Sequence, residues 1–254
     1  VAPEELDIII LGTSSPDRNY PSDACSVQAA IGAVNAVAFD ISAACAGFIF
    51  AMNIVEGFFK AGIYKTALII GAETLSKVTD WSDRGTCVLL GDGAGSAVLK
   101  AEETGIIDMM MGADGTKGDV LACTSRTVGN FLTGTKPELG FMTMDGQEVF
   151  KFAVRKVPES VMELLQRTGT KKEDIKYYVL HQANERIIEA AARRLKEPME
   201  KFPMTIGQFG NTSTASIPLL LDDMIQKDML KRGDKIIMSG FGAGMTWGAV
   251  LMEW

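Results

Sequence analysis

Cys45, His181 and Asn211 are the residues of this sequence best placed to do chemistry. Cys45 lies in Asp40-Ile41-Ser42-Ala43-Ala44-Cys45-Ala46-Gly47-Phe48, where a strand end and a run of small residues lead into a strongly apolar helix. That setting puts the sulfur at a helix N-terminus. There the macrodipole and unpaired N–H groups favour thiolate over thiol, so a nucleophile active near neutral pH is expected. The competing reading of any lone cysteine is a buried structural thiol, and Cys25, Cys87 and Cys123 are read that way.

His181 is the only histidine. It ends the strand-like run Tyr177-Tyr178-Val179-Leu180, just before Gln182-Ala183-Asn184 opens a helix. Ligands bind at the carboxyl ends of strands in open α/β sheets, which favours a functional over a structural histidine. Asn211 follows Phe209-Gly210 and precedes Thr212-Ser213-Thr214-Ala215-Ser216. Its plain role is to cap the following helix; its amide could also aim an N–H into the cleft of His181. Two neutral donors can stabilise an oxygen anion without a metal. A last motif, Ser239 to Gly248, is a glycine-rich turn between two strands. It reads either as a bulged hairpin or as the source of an exposed backbone N–H for a tetrahedral intermediate.

These positions need a layered scaffold. Short β-rich runs alternate with helical patterns, which predicts an α/β fold with a largely buried sheet. Strands are expected at Ile8–Leu11, Ala36–Asp40, Ala67–Gly71 and Ser96–Leu99. A second set follows at Gly105–Gly112, Tyr177–Leu180, Lys235–Ser239 and Ala249–Glu253. Helices are expected at Ala46–Lys60, Val149–Arg167 with a stop at Gly169, Asn184–Leu195 and Ser213–Leu230. The first of these is apolar around its whole axis and belongs inside the molecule. Thr116 to Glu138 reads as a long surface excursion. Gly91-Asp92-Gly93-Ala94-Gly95 lacks the spacing of a dinucleotide loop and runs into a strand, so no such site is expected.

The 254 residues are 47% apolar, enough for one large domain or two closely packed halves. A net charge of -7 argues against nucleic acid. Four scattered cysteines with no Cys-x-x-Cys pair fit neither zinc nor a disulfide framework and point to a reducing cytoplasm. The most apolar stretch, Ile41 to Val55, is too short to span a bilayer. Because the sequence opens at Val1 and enters an apolar run at Ile8, a preceding N-terminal segment is expected.

Together these segments resemble β-ketoacyl-acyl carrier protein synthase III, the initiating condensing enzyme of bacterial fatty-acid synthesis. Asp40 to Phe48 is similar to its nucleophile motif, Asp83-Arg84-Gly85-Thr86 to an internal loop and His181 to Ile187 to its histidine motif. Gly210 to Pro218 and Phe241 to Gly248 are similar to its asparagine and C-terminal glycine motifs. The resemblance implies a duplicated thiolase-like α/β/α layered fold with mixed sheets and a buried central helix. Residues 1–104 would form the remainder of a first half carrying the nucleophile, and residues 105–254 a second half carrying His181 and Asn211. The family's first strand and part of its coenzyme A site are absent from this sequence.

The resemblance further implies a homodimer that uses acyl-coenzyme A as a substrate, with no cofactor and no metal. An acyl group on Cys45 would condense with malonyl-acyl carrier protein, carbon dioxide leaving. His181 and Asn211 would hold the thioester enolate, and the backbone N–H groups of Cys45 and Ala243 the later oxyanion. Arg84, Phe150 and Asn184 would position coenzyme A, and Tyr20 would reach the partner subunit's acyl pocket. Lys151, Arg186, Arg193 and Arg194 would form a basic patch for the acidic carrier, or else an ordinary solvated face, since Glu185, Glu189 and Arg193 follow i,i+4 spacing.

Three other readings stand beside this one. Plant-type (type III) polyketide synthases share Cys-His-Asn. Papain-like hydrolases present the three residues in the same order, but their cysteine signature is absent around Cys45. An inert scaffold would keep the fold without turnover. Thiolases and elongating condensing enzymes use two histidines, which a chain with one cannot supply.

Overall fold

A computed structural model describes every residue except Arg126 and Leu139. The chain runs β1 (Ile8–Gly12), α1 (Asp23–Ile31), β2 (Val37–Ile41), α2 (Gly47–Lys60), β3 (Thr66–Glu73), β4 (Gly93–Lys100) and β5 (Ile106–Ala113). It continues through β6 (Leu121–Cys123), β7 (Met142–Met144), α3 (Gly146–Thr168), β8 (Ile175–Leu180), α4 (Glu185–Leu195) and α5 (Ile206–Phe209). It ends with α6 (Ser216–Gln226), β9 (Lys235–Gly242) and β10 (Thr246–Glu253).

Two four-stranded mixed sheets organise these elements, in the orders β2-β1-β3-β4 and β5-β10-β9-β8. In the first, β1 lies parallel to both β2 and β3, and β4 is antiparallel to β3. In the second, β8 and β9 are parallel, and β10 runs antiparallel to both β9 and β5.

Strand β1 has no exposed residue, because helices cover both its faces. Ile8 and Ile10 point to one side and pack with Phe48, Ile49 and Met52 of α2 and Leu220 and Met224 of α6. Ile9 and Leu11, one residue out of phase, pack with Ala24 of α1. The α2–α6 layer also meets Val179, Ile236, Met238 and Val250 of the second sheet. The far face of that sheet carries α3 and α4 through Val161, Leu164, Ile188 and Ala191. Five layers result: α1, the first sheet, α2 with α6, the second sheet, and α3 with α4. An all-round apolar α2 is therefore required by its place between two sheets.

All eight expected strands form, several of them longer than the periodicity indicated. Helix α3 is capped by Asp145, whose Oδ1 accepts from the N–H groups of Gln147 at 3.0 Å and Glu148 at 3.1 Å, and it stops at Gly169 with φ 67°. The helix expected over Ser213–Leu230 is shorter, because Ser213–Ala215 forms a separate 3-10 turn and α6 ends at Gln226. Helix α1 was not anticipated. Its N-terminus combines a local cap, Ser22 Oγ accepting from the Cys25 N–H at 3.2 Å, with tertiary contacts: Asp40 of β2 accepts from the N–H groups of Asp23 and Ala24, both at 2.8 Å. The expected excursion over residues 116–138 is not wholly irregular either, since β6 within it pairs with β7; Arg126 in this span lies outside the described residues. Val128, Phe131 and Leu132 are exposed there. Among the described residues, no helix is long and apolar enough to cross a membrane.

Candidate active site

The nucleophile turn follows β2. Residues Ala44–Ala46 form a 3-10 turn that feeds directly into α2, so Cys45 occupies a first turn whose N–H has no intrahelical acceptor. Ala44 adopts φ 46°, a left-handed conformation uncommon for a residue with a Cβ. The end of β9 lies against this turn so closely that a Cβ on Gly242 would stand 2.6 Å from the Cys45 nitrogen. A glycine is needed there for approach. Past it, Ala243 opens the 3-10 turn Ala243–Met245, and the Thr246 hydroxyl lies 3.1 Å from both the Ala43 and Ala243 carbonyl oxygens. The glycine-rich segment is thus packed onto the nucleophile turn.

The thiolate expected at Cys45 is not the resting form. Burial pushes the thiol up to about 12; the Ser213 side chain lowers it and the charge of Glu73 raises it further. Desolvation outweighs the helix terminus in this balance, although Cys45 is half-buried as a residue and not closed off from solvent.

His181 follows β8 and is 2% exposed. Its backbone N–H donates to Ser239 O at 2.8 Å, continuing the β8–β9 pairing, and its ring meets Phe241 edge-on with centroids 5.3 Å apart. Burial pushes the imidazole down to about 3, so it is neutral. Its Nδ1 lies 2.6 Å from Ser216 Oγ, which also accepts from the Gln182 N–H at 3.3 Å. If Ser216 accepted both bonds, its own buried hydroxyl proton would have no acceptor among the described residues. The satisfied arrangement has Ser216 donating to Nδ1, which leaves the imidazole proton on Nε2.

Asn211 does cap the turn that follows it: Oδ1 accepts from the Ser213 N–H at 2.8 Å. Its main chain is pinned as well, donating to Leu89 O at 2.8 Å and accepting from the Gly91 N–H at 3.0 Å. Because Oδ1 is fixed by a backbone donor, the other end of the amide must be Nδ2, which has no protein acceptor among the described residues. Capping and donation are therefore compatible in one side chain.

Segment 211–216 joins the three candidates. The Ser213 N–H donates to the Asn211 amide, the Thr214 hydroxyl lies 2.7 Å from the carbonyl oxygen of Ala44 beside Cys45, and Ser216, a turn further on, holds His181. Neither serine was singled out for a role from the sequence, since nothing in their spacing tells which hydroxyl faces which partner. Glu73 was also missed, although an acidic residue closing the apolar run of β3 was a visible signal.

The remaining candidates lie further out. Asn184 is the N-cap of α4, its Oδ1 accepting from the Arg186 N–H at 2.9 Å. Phe150 is partly exposed on the first turns of α3. Tyr20 and Arg84 stand on exposed loops and make no hydrogen bond to Cys45, His181 or Asn211 among the described residues. Of the basic residues, Lys151 pairs with Glu148 at 2.7 Å, Arg193 with Glu189 at 3.6 Å, and Arg194 donates to Val154 O at 3.1 Å. Arg186 is exposed at the start of α4.

Known proteins share this architecture. Residues 39–115 match the family described as 3-oxoacyl-[acyl-carrier-protein (ACP)] synthase III, and residues 165–254 match its C-terminal part. The β-ketoacyl-[acyl-carrier-protein] synthase III of Clostridium acetobutylicum is 50% identical over 256 residues, covering 100% of this chain and 79% of the relative. That of Clostridium novyi is 52% identical over 253 residues, covering 99% of this chain and 78% of the relative. The crystal structure of 3-oxoacyl-[acyl-carrier-protein] synthase III from Aquifex aeolicus VF5 superposes with a TM-score of 0.92 at 45% identity, covering 100% of this chain and 79% of that one. The chain belongs to the 3-oxoacyl-[acyl-carrier-protein] synthase III family, condensing acyltransferases of fatty-acid synthesis with a thiolase-like fold.

Proposed function

We propose that this chain condenses an acyl-coenzyme A primer with malonyl-acyl carrier protein through an acyl group carried on Cys45. In the first stage the Cys45 sulfur attacks the primer thioester; the acyl–sulfur bond to coenzyme A breaks, and the thiol proton leaves with the departing coenzyme A. In the second, the malonyl carboxylate departs as carbon dioxide and the electron pair it leaves forms a thioester enolate. His181 Nε2–H and the Asn211 amide donate to that enolate oxygen. The enolate carbon then attacks the acyl group, the N–H groups of Cys45 and Ala243 hold the resulting oxyanion, and collapse frees the Cys45 sulfur, which regains a proton. The products are a 3-oxoacyl carrier protein and carbon dioxide.

Neutral donors suit this task. An enolate forming in a water-poor pocket is stabilised by preorganised N–H groups without any prior charge separation. The observation that carries the reading is the 211–216 segment, which meets the turn bearing Cys45 through Thr214, meets His181 through Ser216, and contains Asn211 itself. A papain-like reaction is disfavoured, because it calls for a thiolate–imidazolium pair, whereas burial moves both groups the opposite way.

Coenzyme A is a substrate in this scheme, and no cofactor takes part. Arg84, Phe150 and Asn184 would position it, Lys151, Arg186, Arg193 and Arg194 would meet the carrier protein, and Tyr20 would reach across a homodimer in the cytoplasm. Intact-mass analysis after incubation with acetyl- or longer acyl-coenzyme A tests the first stage. One acyl mass should appear on the wild type and none on Cys45→Ala; an unchanged wild-type mass sinks the proposal.

A further inference from the structure

Glu73 closes β3 and is 4% exposed, yet no step of the reaction above uses it. A buried carboxyl group demands compensation, and this one finds it in two places. Oε2 accepts from the Ser14 N–H at 3.0 Å, the Ser15 hydroxyl at 2.6 Å and the Thr13 hydroxyl at 3.3 Å, all in the loop after β1. Oε1 meets the hydroxyls of Ser213 and Thr214, both at 2.9 Å.

Those last two contacts reach the candidate active site from both sides. Ser213 follows the Asn211 turn and has φ 49°; Ala44 precedes the nucleophile and has φ 46°. Such left-handed conformations persist at residues with a Cβ only where the surroundings over-determine them. The Thr214 hydroxyl stands between the two, 2.7 Å from Ala44 O and 2.9 Å from Glu73 Oε1, its single proton shared between these acceptors. Thr214 itself sits in a socket that glycines keep open. A Cβ on Gly12 would stand 2.7 Å from its methyl group, one on Gly47 3.0 Å from the same atom, and one on Gly71 2.4 Å from its carbonyl oxygen.

We propose that Glu73 is a positioning residue: through Ser213 and Thr214 it holds the strained turns that present Cys45 and Asn211 in one mutual arrangement. This rests on the reaction proposed above and adds to it the group that fixes the geometry of both half-reactions.

The test compares Glu73→Ala and Glu73→Gln with the wild type, at a temperature where circular dichroism shows each to be folded. Acylation of Cys45, decarboxylation of a malonyl thioester and alkylation of Cys45 by iodoacetamide are measured separately. Glu73→Ala should slow acylation and decarboxylation each by about 100-fold, as expected for a misplacement near 1 Å, with KM for acyl-coenzyme A changed less than about twofold. Glu73→Gln should return both to within about tenfold of wild type, because its amide can still hydrogen-bond the two hydroxyls, which can donate to a carbonyl oxygen or accept from an NH2 group. Wild-type rates in a folded Glu73→Ala overturn the proposal, and so does a loss confined to KM. If Glu73→Ala does not fold, Thr214→Val cuts one arm alone; about a tenfold loss of acylation supports positioning and no loss refutes it. If the wild type itself is never acylated, the reaction is wrong. Glu73 is then judged on alkylation of Cys45, which should slow in Glu73→Ala and, if unchanged, refutes its role.

Discussion

The nucleophile turn at residues 43–47 and the strand end at residues 180–184 present their chemical groups in opposite ways. His181 continues a regular ladder, its N–H bonded to Ser239 O, and needs only the Ser216 hydroxyl to orient its ring. Cys45 stands on a turn with a left-handed alanine, held by Thr214 and Thr246 and pressed by Gly242. Both groups rest uncharged, the thiol pushed up and the imidazole pushed down by burial. The contrast teaches that donation of a proton-bearing nitrogen tolerates a simple mount. The nucleophilic attack proposed for Cys45 would require the sulfur to be aimed, and the left-handed Ala44 is the strain that would aim it.

If this contrast is right, the two regions fail differently when altered. Cys45→Ala should remove the acyl-enzyme completely, seen as the loss of any acyl mass shift. His181→Ala and Asn211→Ala should each slow malonyl decarboxylation by roughly 10²- to 10³-fold, the usual effect of deleting one oxyanion donor, while acyl transfer to Cys45 falls by less than about tenfold. Equal losses in both half-reactions would erase the distinction between the regions. Gly242→Ala sharpens it from the other side: a methyl group 2.6 Å from the Cys45 nitrogen must displace the turn, so acylation should drop by about 100-fold. Ser216→Ala frees the imidazole to take the wrong tautomer, and about a tenfold loss confined to decarboxylation is expected.

Changes of pH act on both regions as well. Because the thiol is pushed up to about 12, alkylation of Cys45 by iodoacetamide should climb by about tenfold per pH unit from 7 to 9. A plateau below pH 8 would mean that the helix terminus outweighs burial after all. Stability carries the matching signature. Above about pH 6.5 His181 is neutral whether folded or unfolded; as pH falls toward 3 the unfolded chain alone takes up the proton, so stability is lost across that window. For Cys45 the sign reverses: stability is full below about pH 9 and is lost as pH rises toward 12. Thermal melting of wild type against His181→Asn and Cys45→Ala would expose each window.

Much of the scaffold was legible because local patterns agree with it. The apolar run of β1, the all-round apolar face of α2 and the capped α3 announce themselves by periodicity and end signals. Helix α1 carried local end signals in Ser22 and Gly32 that were passed over, because its nine residues have little amphipathic pattern and part of its N-terminus is satisfied by the remote Asp40. The pairing of β6 with β7 escaped for the same reason, since its two short strands lie on either side of a polar loop.

Within the candidate site, residue types and order placed Cys45, His181 and Asn211 each at the boundary between a strand or loop and a helical turn, which is where the structure has them. Their charge states were another matter. Local sequence argued for a thiolate, and desolvation moves the thiol the other way, because desolvation depends on what surrounds an atom in space.

The sequence by itself determined the layered α/β class, the order of the chemical groups and their places at element ends, because those follow from short-range periodicity and capping. Tertiary structure alone decided that both reactive groups rest neutral, that Ser216 selects the imidazole tautomer, and that Glu73 braces residues up to 141 positions away. Hydrogen bonding and desolvation act through space, and no pattern along the chain records which distant atoms will become neighbours.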